Sequence, residues 1–411
     1  WKDYIREKRL AMKVRIDGYS ALFLTLISIF LFGNQIRYGL SPLLYQVNII
    51  YIIALSILFI RFEKKLSIKS FLLWLVLTFQ MLAVNLLNNC TGSEIFRNFM
   101  IMYLPLLLLL FDFSSIIREY DTVARKLIRI YNFFVYIQLA IYFADTILGG
   151  AVIRWFASNL TPKISQYLVN RDFGLFTYRF TSYLGQSLFV SEVFVIFLLL
   201  NLFYNKRSNK ILCNRYFIYA ISTLGVLIAG SRTGTFLVAA VIVIDLMFEK
   251  RKVLSIIIVA CLFIVIQYLG VFDVLLGRMS AVSLTAGRNE AWELLKNANI
   301  LNVHLFYGTG MRTHALWTQM IGSSRASNAF EYPVRALIYR IGFLPTIGWC
   351  YIMFIKPFSK IIRTGGALFL AVLIIDVNTF NGISEVSDLV LLYALTVQIM
   401  LIISRIGTET V

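Results

Sequence analysis

Apolar stretches long enough to cross a bilayer recur from one end of this chain to the other, and no polar block between them is large enough to form a separate soluble domain. Inside a bilayer each backbone N–H and C=O must be satisfied within the chain, which makes helices the natural solution. With 59% hydrophobic residues and a mean hydropathy of +0.78, the sequence predicts an all-α polytopic membrane protein, a single transmembrane domain over residues 1–411. Apolar runs fall at about 19–36, 43–60, 70–88, 99–115, 128–148, 187–204, 216–231, 233–248, 253–272, 336–355, 366–382 and 387–404, about twelve transmembrane helices.

An even number of spans puts both termini on one side. The clusters "REKR", "RFEKK", "REYDTVARK", "NKRSNK", "EKRK", "KPFSKIIR" and the final "SR" then share a face, which the positive-inside rule makes cytoplasmic. The net charge of +18 is therefore read as topology, and nucleic-acid binding is set aside. The N-terminal "WKDYIREKRLAMKVR" is too polar for a cleaved signal peptide, so the first apolar run reads as a retained span. Cys90, Cys213, Cys261 and Cys350 fall in separate segments without a CxxC, giving neither a disulfide framework nor a metal site. The sequons at Asn89 and Asn159 read as chance.

This topology leaves two long connections outside, 149–186 and 273–335, both mixing aromatics with arginines and both expected to contain short helices lying on the membrane surface. Sorting the basic residues by side is informative. The inner face holds 13 lysines and 12 arginines; the outer side holds 2 lysines against 12 arginines. Arginine retained against the topology signal needs a reason. Its planar fork matches phosphate or carboxylate, and it keeps its proton. The set points to an outward-facing site for an anionic, membrane-tethered substrate such as a lipid diphosphate. For any one arginine, snorkelling to lipid headgroups or pairing with an outer acid is the plainer reading.

Two arginines stand out. In "LIAGSRTGTFLVAA" Arg232 sits in a break between two apolar helices, where Gly230, Ser231, Thr233 and Gly234 allow a tight turn that faces the guanidinium toward a cavity. The alternative is an ordinary interfacial turn. In "AGRNEAW" Arg288 and Trp292 share a helix face; the alternative is a cation–π packing pair. "FYGTGMR" is a glycine turn able to offer backbone N–H groups. Glu331, before Pro333, is read as capping the outer end of the tenth span, either as a catalytic carboxylate or as the i,i+4 partner of Arg335. His304 and His314, the only histidines, are candidate bases or packing residues. Trp155, Phe173, Tyr178, Tyr183 and Trp317 are candidate sugar-stacking residues or interface anchors.

The "SRTG" turn, the "GRNEAW" segment, "HLFYGTG" and the glycine-punctuated helix after them resemble, in order and spacing, the bacterial O-antigen polymerase and ligase superfamily, and most closely its Wzy-type polysaccharide polymerases. The likeness covers about 220–355 in motifs and the whole chain in topology. It implies a GT-C-like fold and a metal-free, cofactor-free inverting glycosyltransferase. The donor and acceptor would be undecaprenyl-diphosphate-linked oligosaccharides at the outer face of the bacterial cytoplasmic membrane. It also implies membrane lipids, a chain-length regulator protein and a flippase as partners. The ligase branch carries a "HNxYLxxLxxxG" pattern, and "EYPVRALIYRIGFLPTIG" aligns on it with Glu331 where the histidine would be, a departure from the ligases. The resemblance implies Arg232 and Arg288 on the leaving diphosphate and Glu331 as base. Substrate contacts would come from Arg154, Arg171, Arg179, Arg312, His304, His314, Trp292 and Arg335. Rival readings are an O-antigen ligase, a lipid-linked oligosaccharide flippase or other transporter, and a non-enzymatic subunit.

Overall fold

The computed structural model describes residues 18–41, 44–160, 179–247, 287–379 and 388–407, and among these the chain is all-helical with no strand. The elements are α1 (Gly18–Phe30), α2 (Asn34–Leu40), α3 (Ile49–Phe62), α4 (Ile68–Leu87), α5 (Gly92–Leu110), α6 (Tyr120–Ile147), α7 (Ala151–Asn159), α8 (Ser187–Arg207), α9 (Arg215–Ile228) and α10 (Arg232–Met247). Further along the chain come α11 (Arg288–Asn297), α12 (Arg312–Ile321), α13 (Ser323–Phe330), α14 (Pro333–Ile341), α15 (Phe343–Cys350), α16 (Ala367–Thr379) and α17 (Leu389–Ile403).

Among the described residues four helices, α4, α5, α6 and α8, are long and apolar enough to cross a membrane, and α1 with α2 makes a fifth if that pair, bent by 66°, is one span. The chain is thus a multi-pass helical membrane protein in character. Apolar helices α9, α16 and α17 are shorter. Several expected boundaries are corrected. The run at 19–36 is broken at 31–33. The run at 99–115 begins seven residues earlier, at Gly92, because Thr91 and Glu94 form a capping box (Glu94 N to Thr91 Oγ1 3.3 Å, Thr91 N to the Glu94 carboxylate 2.8 Å). The run at 336–355 is split at Gly342. The run at 253–272 lies outside the described residues.

Helix α8 is buried on every side from Phe189 to Tyr204, which makes it the axis of the bundle; α6, α9, α10, α16 and α17 pack on it. Its approach to α9 is close at Gly225, where a Cβ would lie 1.9 Å from the Phe194 ring. Asn132 and Asn201 exchange amide hydrogen bonds of 2.9 Å across α6 and α8, the way polar side chains join helices in lipid. The π-helical turn Phe99–Tyr103 in α5 leaves carbonyls that indoles complete: Trp74 Nε1 donates to Tyr103 O at 2.8 Å, Trp349 Nε1 to Met102 O at 3.3 Å. By contrast α4 shows Leu72, Val76, Phe79 and Leu87 to its surroundings, as a lipid-facing helix would.

The two ends of the bundle differ. At one, Arg125 binds Asp121 and Tyr204, Arg215 binds Asp245 at 2.8 Å, Arg207 closes the carbonyls of Ser404 and Ile406, and Lys360 lies 3.8 Å from Asp112. The opposite end carries a helical cap, residues 287–341. Its own small core is Ala291, Trp292, Leu295, Trp317, Ile321, Ala326, Ala329 and Ala336.

Candidate functional site

The cap is tied to the bundle by a stretch with almost no side-chain bulk to spare. Phe343 N and Leu344 N donate to His304 O and Leu305 O, both at 2.9 Å, so residues 304–305 run beside the break at Gly342. Gly342 has φ +98, and a Cβ there would meet Tyr307 N at 2.6 Å. That left-handed residue is the physical reason for the split between α14 and α15. From α4, Gln80 donates to Phe306 O (2.9 Å) and Ile341 O (2.6 Å), while Asn88 donates to Gly308 O (2.9 Å).

In the glycine turn "FYGTGMR" the N–H groups of Thr309, Gly310 and Met311 are already taken by the protein itself. Thr309 N goes to Tyr339 O at 3.0 Å, Gly310 N to Arg340 O at 2.9 Å and Met311 N to Asn85 Oδ1 at 2.9 Å. The glycines serve close docking: a Cβ on Gly308 would lie 2.3 Å from the carbonyl oxygen of Tyr339. Backbone cannot yield as a side chain can, so Gly308→Ala should destabilise by about 1–3 kcal/mol, read as a lower melting temperature in detergent. Gly92→Ala, where nothing lies within 4 Å, is the control. Equal melting of the two variants would refute the docking role.

Within the cap the expected pairs exchange partners. Arg288, the first residue of α11, binds the Glu331 carboxylate through Nε, and its guanidinium lies 5.9 Å from the Tyr332 ring centre. Arg335, read as the i,i+4 partner of Glu331, instead lies over Trp292 at 4.0 Å. Glu331 follows α13 directly, Tyr332 leaves helical geometry at φ −109 and ψ 78 without reaching the extended range expected before a proline, and Pro333 opens α14. The N-cap of α14 is Tyr332, with no side-chain cap bond, and α14 ends at Ile341, so Glu331 closes α13 and does not cap the tenth span, a correction. The pair is partly shielded, with side chains 17% and 21% exposed, so it is worth more than a surface ion pair and stays reachable.

Arg232 is the first residue of α10. Gly230 takes the left-handed turn at φ +62, Ser231 Oγ accepts Gly234 N at 3.0 Å, and Gly234 permits close approach to Ser191 on α8. Helices α10 and α16 are antiparallel, since Ile244 and Asp245 line one cavity with Leu368 and Phe369. Arg232 therefore shares its end of the bundle with Asn378, whose Oδ1 accepts Val334 N of α14 at 3.4 Å. So Arg232 and the cap lie at the same end, with Arg288 and Glu331 joined directly and Arg232 on a separate element.

The remaining candidates are dispersed. Arg154 is exposed and binds Gly149 O at the start of its own helix, α7. Arg179 is exposed beside the fully buried Phe180, whose N–H reaches Ile228 O at 3.0 Å. Arg312 is exposed at the start of α12, near enough to Glu94 to interact with it electrostatically. His304 stacks on Tyr307 at 4.2 Å, and His314 stacks on Phe330 at 5.3 Å with Nδ1 3.5 Å from Thr318 Oγ1. Trp292 packs edge-on to Trp317 at 5.2 Å inside the cap core. Tyr183 and Trp317 are 9% and 3% exposed, so neither is an interface anchor, whereas Trp155 is exposed. Arg171, Phe173 and Tyr178 lie outside the described residues.

Three groups escaped the sequence reading. Arg37, counted there as one more outer arginine, is fully buried and bound by Asp388. Glu192 in α8 and Asp376 in α16 are buried acids close enough to interact electrostatically. The signal for the last two was present, since "LFVSEVFVIF" and "AVLIIDVNTF" each put one acid inside an apolar run.

These features define a helical membrane-type bundle whose one end is closed by an arginine-bearing, aromatic-cored cap. No family model, no curated protein and no solved structure matches the chain.

Proposed function

We propose that this protein is a polysaccharide polymerase, a glycosyltransferase joining polyprenyl-diphosphate-linked oligosaccharide repeat units at the outer face of a bacterial cytoplasmic membrane. In this reading the bundle has about twelve spans of GT-C-like type with both termini cytoplasmic. The observation that carries it is the half-shielded pair of Arg288 and Glu331, a cation suited to phosphate beside a carboxylate suited to a proton, in a cap at the same end as Arg232. The scarcity of lysine in the outer segments supports it.

A donor diphosphate offers more charge and more oxygens than one carboxylate, so it takes the Arg288 fork and releases Glu331. An acceptor sugar hydroxyl then attacks the donor's anomeric carbon from the face opposite the diphosphate, and its proton passes to Glu331. The bond from the anomeric carbon to the diphosphate oxygen breaks, polyprenyl diphosphate leaves, and the centre inverts. Negative charge grows on the leaving diphosphate, so fixed guanidinium groups of Arg288 and Arg232 favour the transition state over the ground state.

A transporter or flippase of the same lipid-linked oligosaccharide is the second reading. It is favoured by Glu192 and Asp376, because buried acids within helical bundles in membranes often mark transport paths. Purified protein in liposomes with a lipid-linked repeat unit separates the two. Lengthening of the glycan is the expected result; transfer of the lipid across the bilayer without lengthening would replace the polymerase reading with the transporter one.

A further inference from the structure

The cap contains a cavity that the Arg288–Glu331 pair does not use. It has a volume of about 180 Å³ and lies between α12, the turn after α11 and α14. Trp317 and Tyr339 form one side, their ring centres 6.1 Å apart and nearly perpendicular. Met320 and aliphatic side chains form the walls, and Asn302, Gln319 and Thr309 supply the polar groups. No lining residue is charged. That absence matters in a cap holding Arg288, Lys296, Arg312, Arg325, Arg335 and Arg340, where an anion site would draw on at least one of them.

We propose that this cavity is a subsite for one uncharged sugar ring of the glycan. A pyranose has an apolar C–H face, suited to the aromatic side, and hydroxyls that both donate and accept, as do the amides of Asn302 and Gln319. The volume is well below the roughly 300–1,000 Å³ of pockets that engulf a drug-sized ligand, so it admits a single ring or branch and not a whole repeat unit. Trp292 lies between the two regions: Arg335 covers its ring at 4.0 Å, and Tyr339 and Trp317 pack on it at 5.6 and 5.2 Å. A ring seated here is therefore one aromatic layer from Arg288 and Glu331, too far to react and near enough to select which glycan presents itself. The subsite rests on the polymerase reading for its purpose but not for its existence.

The test uses the full chain in nanodiscs on an array of uncharged and acidic bacterial glycans. Binding is expected on uncharged glycans. Asn302→Ala/Gln319→Ala, at two exposed positions that leave the cap core intact, should weaken it about tenfold, the worth of two ordinary hydrogen bonds. Binding to acidic glycans alone, to none, or equally by wild type and the double variant overturns the subsite. A wild-type chain that binds uncharged glycans through these two amides yet lengthens none keeps the subsite and removes the polymerase reading.

Discussion

Arg37→Ala should lower stability by about 3–5 kcal/mol, the cost of leaving a buried carboxylate without its cation. Arg37 lies within α2, is 0% exposed, and reaches back to the bend between α1 and α2 at the Phe32 carbonyl. Its Nη1 donates to Asp388 Oδ2 at 2.9 Å and its Nη2 to Oδ1 at 3.1 Å, a two-pronged contact; carbonyls of Phe32, Leu44 and Tyr45 take further N–H bonds. Asp388 also accepts Asn34 N at 2.9 Å, so one carboxylate pins the start of α17 to the start of α2. The single variant should show a much lower melting temperature and poor recovery from detergent extraction. Replacing both partners with leucine should recover much of the loss, since no charge is then left orphaned. A melting temperature for Arg37→Ala equal to wild type would show that the pair is not holding the bend.

Arg37 also shows where the sequence stops being readable. Its partner is 351 residues away, and nothing local separates it from arginines that meet lipid or substrate. The same limit explains the partner exchange in the cap. Helical spacing suggested Arg335 for Glu331 and Arg288 for Trp292; Arg288 and Trp292 do share α11, but Glu331 lies outside α14 and so never meets Arg335 at helical spacing. Packing of α11 beside α13 instead brings Arg288 to Glu331 across 43 residues and frees Arg335 for the indole. What depends on short-range chemistry was legible: Pro333 at the start of its helix, and the turn at Gly230 with Arg232 opening the next helix. Apolar runs gave the helical class but not lengths. A run such as 336–355 carries no local mark of whether Gly342 continues the helix or, pressed against Tyr307, breaks it.

Glu331→Gln should reduce glycan lengthening about 10²-fold or more, because the amide keeps the shape and loses the capacity to take a proton. Arg288→Ala should reduce it by about 10²–10³-fold, the usual effect of removing one fixed charge stabiliser from a transition state. The two residues form one ion pair, so their activity losses should not add. A structural role would look different: both variants would melt earlier, and the double variant, leaving neither charge unpaired, would recover stability and activity together. Arg288→Lys keeps the charge but not the planar fork, so it should recover only part of the Arg288→Ala loss. Near-wild-type lengthening by both Glu331→Gln and Arg288→Ala would remove the pair from the chemistry and leave the cap as a glycan-selecting surface alone.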